Sequence, residues 1–373
     1  MLIRPSKEVP FPPRRSHPNR RILVVGLALV LVMAGGGYSI WWRSAANDVR
    51  AQALAWIAER RSEGWQITFA DTNLTGFPLY LGVSLDDAHA APESGEWAWN
   101  SERVRLTLPI FAPPLMRLEF IGQQALDIAT EDVQRSYAGT AESLTFDIVP
   151  STSWLPNGRL AVRTLALRDA ANDDTLSLEQ LDLTSTGDPA ATTDEARSAY
   201  EAHVALEALH LPQVWATPLG RDGQHVEIAA KLNGTLKAHP WPAALGEWRD
   251  GGGDIDITRL TIITGPTSLD GDGTFALDRD GQPIGAMTIR LQGYEAALDR
   301  LANENTIAPF SAATAKILLR SIARSELPGD AAGVADEPPL SAPLSIQDGQ
   351  LSLGPVPLLT LPPLHWLDRP SGR

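Results

Sequence analysis

Leu344-Ser-Ile-Gln-Asp-Gly-Gln-Leu-Ser-Leu353 decides the fold class. Apolar and polar residues alternate on both sides of Asp348-Gly349, and two-residue hairpin loops select such a dipeptide because it tolerates positive φ. The loop pairs Ile346 with Leu351 and Leu344 with Leu353, and all four fall on one face. Working outward, the same period of two recurs in Val104, Leu106, Leu108 and Ile110, and in Leu144, Phe146 and Ile148. It returns in Val204 and Leu206, in Val226, Ile228, Ala230 and Leu232, and in Met287, Ile289 and Leu291. Alternation of this kind makes strands with one face toward a core. Asn157-Gly158, Asn233-Gly234 and Asp280-Gly281 supply further turn signals.

A second habit appears three times: two alternating apolar residues, a two-residue gap, then two more. It is seen in Leu160, Val162, Leu165, Leu167; in Leu176, Leu178, Leu181, Leu183; and in Ile255, Ile257, Leu260, Ile262. The odd step would throw the second pair onto the other face, so a bulge or bend at the step must keep both halves on one core. Their unequal separations argue against a regular sequence repeat. The expectation is a mainly β (α+β) fold: an N-terminal transmembrane helix, then a large curled antiparallel β-sheet with a few peripheral helices.

Helical pattern is confined to a few places. Residues 43–64 read as a stalk, with Val49, Ala53, Trp56 and Ile57 at helical spacing. Residues 293–327 read as a helical pair split by Pro309 and ended by Pro328. The expected order is therefore a basic tail (1–21), an anchor (22–42), the stalk (43–64), a β domain (65–292), the helical pair (293–327), a Pro/Ala/Gly-rich linker (328–343) and a closing hairpin (344–373) that joins the sheet. Residues 188–198 read as an acidic loop.

The anchor assignment rests on residues 22–42, which carry no charge from Ile22 to Trp42. As a helix this run is about 30 Å long, the thickness of a bilayer hydrocarbon core. Arg14, Arg15, Arg20 and Arg21 precede it and Arg43 alone follows directly, which places the N-terminus in the cytoplasm and the body in the periplasm. Trp41 and Trp42 close the run, as indoles do at a membrane interface. A cleaved signal peptide and a buried core helix compete, but the apolar run is long for the first and its flanks are bulky.

Charge and composition exclude several functions. The chain carries −14, with +5 on residues 1–21 and −19 on the rest, so the body repels nucleic acid. With no cysteine among 373 residues, thiol nucleophiles, disulfides and thiolate metal sites are excluded. The seven histidines (His17, His89, His203, His210, His225, His239, His365) form no HxH or HxxxH pair, and no nucleophile elbow, Walker loop or dinucleotide fingerprint occurs. No catalytic residue, metal site or cofactor is assigned. Asp270-Gly-Asp272-Gly273 and Asp278-Arg-Asp280-Gly281 read as hairpin turns, with a weak cation site as the alternative.

Tryptophan is in excess, 11 of 373. Trp97 and Trp99, two apart on a strand, share a face. With Phe77, they are the candidate ligand contacts, against the plainer reading of core fillers. Pro78 holds Phe77 extended and Gly76 permits a bend before it, so the unit should turn one strand into the next and send the ring into the core.

Trp56-Ile-Ala-Glu-Arg-Arg-Ser-Glu-Gly-Trp65, Gly76-Phe77-Pro78-Leu79, Gly349-Gln-Leu-Ser-Leu-Gly-Pro-Val-Pro357 and Leu361-Pro-Pro-Leu364 together resemble bacterial domain-of-unknown-function family 2125, over residues 22–366. The resemblance implies a singly anchored envelope protein and supplies no catalytic residues. Its pattern is similar to AsmA-type envelope proteins, which implies a curled sheet with an apolar groove and a link to lipid and outer-membrane homeostasis. Three functions follow as expectations. The first is a scaffold on the bacterial inner membrane that shields lipid or other apolar molecules. The second is a partner-docking module for envelope proteins with a dry core, and the third is a hydrolase using paired acids.

Overall fold

A computed structural model describes residues 20–111, 115–129, 134–149, 157–169, 171–187, 198–215, 220–235, 241–303, 309–325, 339–354 and 356–361. Helix α1 (Arg20–Ser62) leads into short strands β1 (Gln66–Thr68) and β2 (Asp71–Thr75). Long strands follow: β3 (Tyr80–Ala91), β4 (Trp97–Pro109), β5 (Met116–Ala129), β6 (Gln134–Val149), β7 (Asn157–Asp169), β8 (Thr175–Gly187), β9 (Ser198–His210) and β10 (Asp222–Asn233). Then come α2 (Trp241–Asp250), β11 (Asp254–Thr264), β12 (Thr267–Leu277), β13 (Pro283–Gln292), α3 (Tyr294–Asn303) and α4 (Pro309–Ser325). Strands β14 (Leu340–Gln347), β15 (Gln350–Leu353) and β16 (Val356–Thr360) close the chain. The sixteen strands of the described residues form one antiparallel sheet in sequence order, with β2 paired on the outer side of β3 beside β1.

From β3 onward each strand pairs antiparallel with the next in the chain, with α2 inserted before β11 and α3 and α4 before β14, so the sequence's alternation translates directly into shared faces. The register carries one apolar row through Val83, Leu106, Leu118, Phe146, Leu160, Leu183, Val204, Ile228, Leu260, Gly271, Ile289 and Ala342. A second row, two residues along, runs through Leu144, Val162, Leu181, Leu206, Val226, Ile262, Leu269, Leu291 and Leu340. The final hairpin pairs Ile346 with Leu351 and Leu344 with Leu353 through Asp348 (φ +51) and Gly349 (φ +71), as its sequence requires.

The odd step at Leu260 is a bulge, whereas those at Leu165 and Leu181 keep the register and leave one residue on each strand out of the pairing. Residues with positive φ occupy mid-strand positions in alternate strands: Asp87 (+50) in β3, Gly122 (+80) in β5, Thr164 (+48) in β7 and Ala208 (+50) in β9. The intervening strands place Glu102, Glu142, Glu179 and Gln224 at the same level, where the pairing skips a residue. Gln123 N–H donates to Glu102 Oε2 at 3.0 Å, and Thr164 Oγ1 donates to Glu142 Oε2 at 3.2 Å. The left-handed residue at Thr164 bends its strand, and Val162 and Leu165 lie in one buried cluster with Leu144, Leu167 and Leu178. A two-strand structural repeat therefore exists without equal sequence spacing.

Four sequence expectations change. The strong curl is not adopted: β1 and β16 lie at opposite ends of an open sheet and do not pair. The stalk is not a separate element, since α1 continues unbroken from the uncharged run to Ser62. Its buried stripe is Trp42, Ala46 and Ile57, whereas Trp56 turns outward beneath Arg60. Asp270–Gly273 and Asn157-Gly158 lie within β12 and β7, because cross-strand pairing overrides their turn propensity; Asp278–Gly281 does form a turn. The side chains of Ile22, Leu23 and Gly26 lie outside the described residues, as do residues 188–197 and 326–338. Among the described residues no helical stretch is long and apolar enough to cross a membrane.

Candidate functional site

Among the described residues, helices α1, α3 and α4 pack on the sheet at its ends. At the N-terminal edge α1 packs against β1, β2 and β3. At the other edge α3 packs on β12 and α4 on β14, sealing Met287, Ile289, Tyr294, Leu319, Ala323 and Leu340 into a core. A second core, built from Ile128, Tyr137, Leu144, Val162, Leu165, Leu167 and Leu178, lies along β5–β8, with Trp215 stacked on Tyr137 at 6.4 Å. From β8 to β11 the same rows continue as Leu181, Leu183, Val204, Leu206, Val226, Ile228, Leu260 and Ile262, yet every one of these is only half-buried. Helix α2 sits at the end of these strands, where buried Trp248 donates from Nε1 to Asn233 O at 2.7 Å. Among the described residues no helix lies along this strip.

The reverse face is ionic, because the residues between the apolar ones bring opposite charges together across strands. Arg105 meets Glu119 (3.4 Å), Arg117 meets Asp147 (2.6 Å), and Asp182 takes both Arg159 (2.6 Å) and Arg163 (2.9 Å). Glu227 meets His203 (3.1 Å) and Arg259 (3.2 Å). A hydrogen bond from His203 and the charge of Arg259 lower the Glu227 carboxyl below its ordinary value. Burial pushes Asp182 upward, but hydrogen bonds from Arg159, Arg163 and Gln180 outweigh it and leave a net downward shift. Burial of Asp174 is likewise outweighed, here by Gln213 N–H and Arg221. An open polar cavity of about 360 Å³ lies between β11, β12 and β13, with Arg259, Thr261, Asp270, Asp272, Thr288 and Arg290 in its lining. Its walls carry both signs of charge. Among the described residues no three His, Asp or Glu side chains are grouped to hold a metal.

The three aromatic candidates do not converge. Phe77 and Trp97 stand at opposite ends of the β3–β4 hairpin, separated by the length of β3, about 36 Å. Trp99 borders the second core and donates from Nε1 to Gln124 Oε1 at 3.1 Å, while Trp97 meets Trp65 edge-on at 5.9 Å. Phe77 is not in the core: it turns the chain from β2 into β3, as expected, but its ring lies against Trp42 (5.3 Å) and Tyr38 (6.2 Å) of α1 and stays over half exposed. The core-filler reading of the body tryptophans holds for Trp248; Trp56, Trp97 and Trp215 are exposed, and of the two assigned to a membrane interface Trp41 is exposed while Trp42 is buried. Sequence reasoning missed the strip as a unit. Its signal was the alternation itself, but only the register joins the strands into a continuous surface.

These features define a class: an open single-sheet β protein, apolar on one face and ionic on the other, held at one edge by a long helix. The chain belongs to the bacterial family described as uncharacterized protein conserved in bacteria, domain-of-unknown-function family 2125, whose model matches residues 42–362. No curated protein and no solved structure matches it.

Proposed function

We propose that this protein is a single-pass protein of the bacterial inner membrane, N-terminus cytoplasmic and sheet periplasmic, that shields acyl chains along the β8–β11 strip. The observation that carries the reading is that strip: eight aliphatic residues in two registered rows, half-buried, with no helix along them among the described residues. An apolar chain laid across them gains about 0.8 kcal/mol for each methylene it buries. The strip continues the apolar face toward β3, so it can be occupied without opening a core. The uncharged run at 22–42, flanked by arginines on its N-terminal side, supports the span and its direction. Export also suits a cysteine-free acidic body that has no nucleic-acid-binding charge.

The test is the lipid content of the full chain, extracted from membranes in mild detergent and analysed by native mass spectrometry. Phospholipid bound to the unaltered chain, and lost from Leu206→Asn and Val226→Asn variants that keep their near-UV circular dichroism, supports the reading. An unaltered chain that carries no lipid, or variants that carry as much, would sink it.

Docking of an envelope protein is the second reading, and it draws on a different surface. Phe310 and Ile317 of α4 are 83% and 74% exposed, on the side of the helical cap away from the core. A stoichiometric crosslink through Phe310 in intact cells would favour it.

A further inference from the structure

The corner between β2 and β3 has a chemistry that neither the sheet nor its core explains. Gly76-Phe-Pro-Leu-Tyr80 and the neighbouring Pro109-Ile-Phe111 hold no charge, and β3 and β4 bring them together through Tyr80 opposite Pro109. Ile110 N–H donates to Leu79 O at 3.3 Å, which joins the two segments beyond the last strand pair. Their apolar side chains face outward: Phe77 is 54%, Leu79 56% and Phe111 78% exposed. The backbone carbonyls, by contrast, are already engaged by α1. Trp42 Nε1–H donates to Tyr80 O at 2.8 Å, and Tyr38 O–H donates to Pro78 O. Gly76 (φ +96) lets the turn close on Tyr80, since a Cβ there would meet Tyr80 O at 2.7 Å.

The level of this lock along α1 identifies what the apolar side chains meet. Tyr38 to Trp42 is the last turn of the uncharged run, and Arg43 ends it. Resting on the anchor reading above, a span beginning near Ile22 reaches the far side of the hydrocarbon core about 30 Å later, at Trp41 and Trp42. The corner is fixed to the helix at that height. Phe, Tyr and Trp with their polar groups satisfied or at the boundary are the side chains that reside there.

The geometry points to a second membrane contact: Phe77, Leu79 and Phe111 enter the boundary between headgroups and acyl chains beside the α1 span. The partner is the surface of the same bilayer. Two contacts, helix and corner, hold the β3–β4 end of the sheet against the membrane. Leu81 and Leu108 form the first rung of the apolar face directly beyond the corner, so that face opens onto lipid.

The test uses the absence of cysteine. Single Phe111→Cys, Leu79→Cys, Trp97→Cys and Met33→Cys variants of the full chain are nitroxide-labelled and reconstituted into phosphatidylethanolamine–phosphatidylglycerol vesicles. Collision with a water-soluble nickel chelate and with oxygen then reads depth. Labels at Phe111 and Leu79 should collide with the chelate several-fold less than the label at Trp97, while remaining open to oxygen. Phe111 as open to the chelate as Trp97, with Met33 protected, overturns the corner contact alone. Met33 open to the chelate overturns the anchor and the corner together. Phe111 closed to both probes means protein covers the corner, and that also overturns the proposal.

Discussion

The same apolar pattern has two fates in this molecule. Beneath α4 the rows end as Ile289, Ala342 and Leu340, fully buried; from β8 to β11 they run as Leu183, Val204 and Ile228, half-buried. The strands are alike in spacing, pairing and composition. What differs between these two stretches is the cover of α4. The β5–β8 core, however, is buried without a helix along it among the described residues, so the strand pattern sets which face is apolar and a helix is one of two ways to dry it.

That comparison can be broken by substitution. Leu319→Ala on α4 should destabilise the chain by about 3 kcal/mol, as cavity-forming core changes do. Leu206→Ala on the strip should cost about 1 kcal/mol, since part of its surface is already wet. Urea unfolding of the detergent-solubilised chain measures both. Equal losses would mean that the strip is as closed as the capped core.

The reverse face sharpens the contrast, because its charges stabilise weakly and depend on pH. Asp182 is held below its ordinary value in the folded chain, so its stabilisation is present above the unfolded carboxylate range and is lost as pH falls through the folded value. Asp182→Asn should cost about 1 kcal/mol at neutral pH, the scale of a partly exposed ion pair. Its loss of stability on acidification should also be shallower than that of the unaltered chain. An unchanged acid profile would remove Asp182 from the account.

The smallest effect concerns the line of left-handed residues. Ala208 occupies left-handed backbone space (φ +50) that disfavours a Cβ, so Ala208→Gly should stabilise by about 0.5 kcal/mol, the relief of strain partly offset by the freer unfolded chain. Thermal unfolding that moves downward instead would mean that Ala208 does not hold this left-handed geometry.

Much of the sheet was readable because alternation and turn chemistry are local. Leu344–Leu353 specifies its own hairpin, and the odd step at Leu260 announces a bulge. The unread features are those that depend on partners. Asp270-Gly-Asp272-Gly273 has turn chemistry, but pairing with β11 and β13 on either side makes it strand. Phe77 looked like a core residue by type, and only the position of Tyr38 and Trp42 places it at the surface. The repeat from Asp87 to Ala208 escaped notice because its copies share a pairing geometry and no residue identity.

The central claim is that the strip between β8 and β11 holds acyl chains, and the strand β9 offers its own control. A photo-crosslinking side chain placed in intact cells at Leu206, on the apolar face, or at Ala205, on the ionic face, differs by one residue and one face. The account predicts phospholipid adducts at Leu206 and none at Ala205. Equal lipid labelling at the two positions, or protein adducts alone at Leu206, would contradict it.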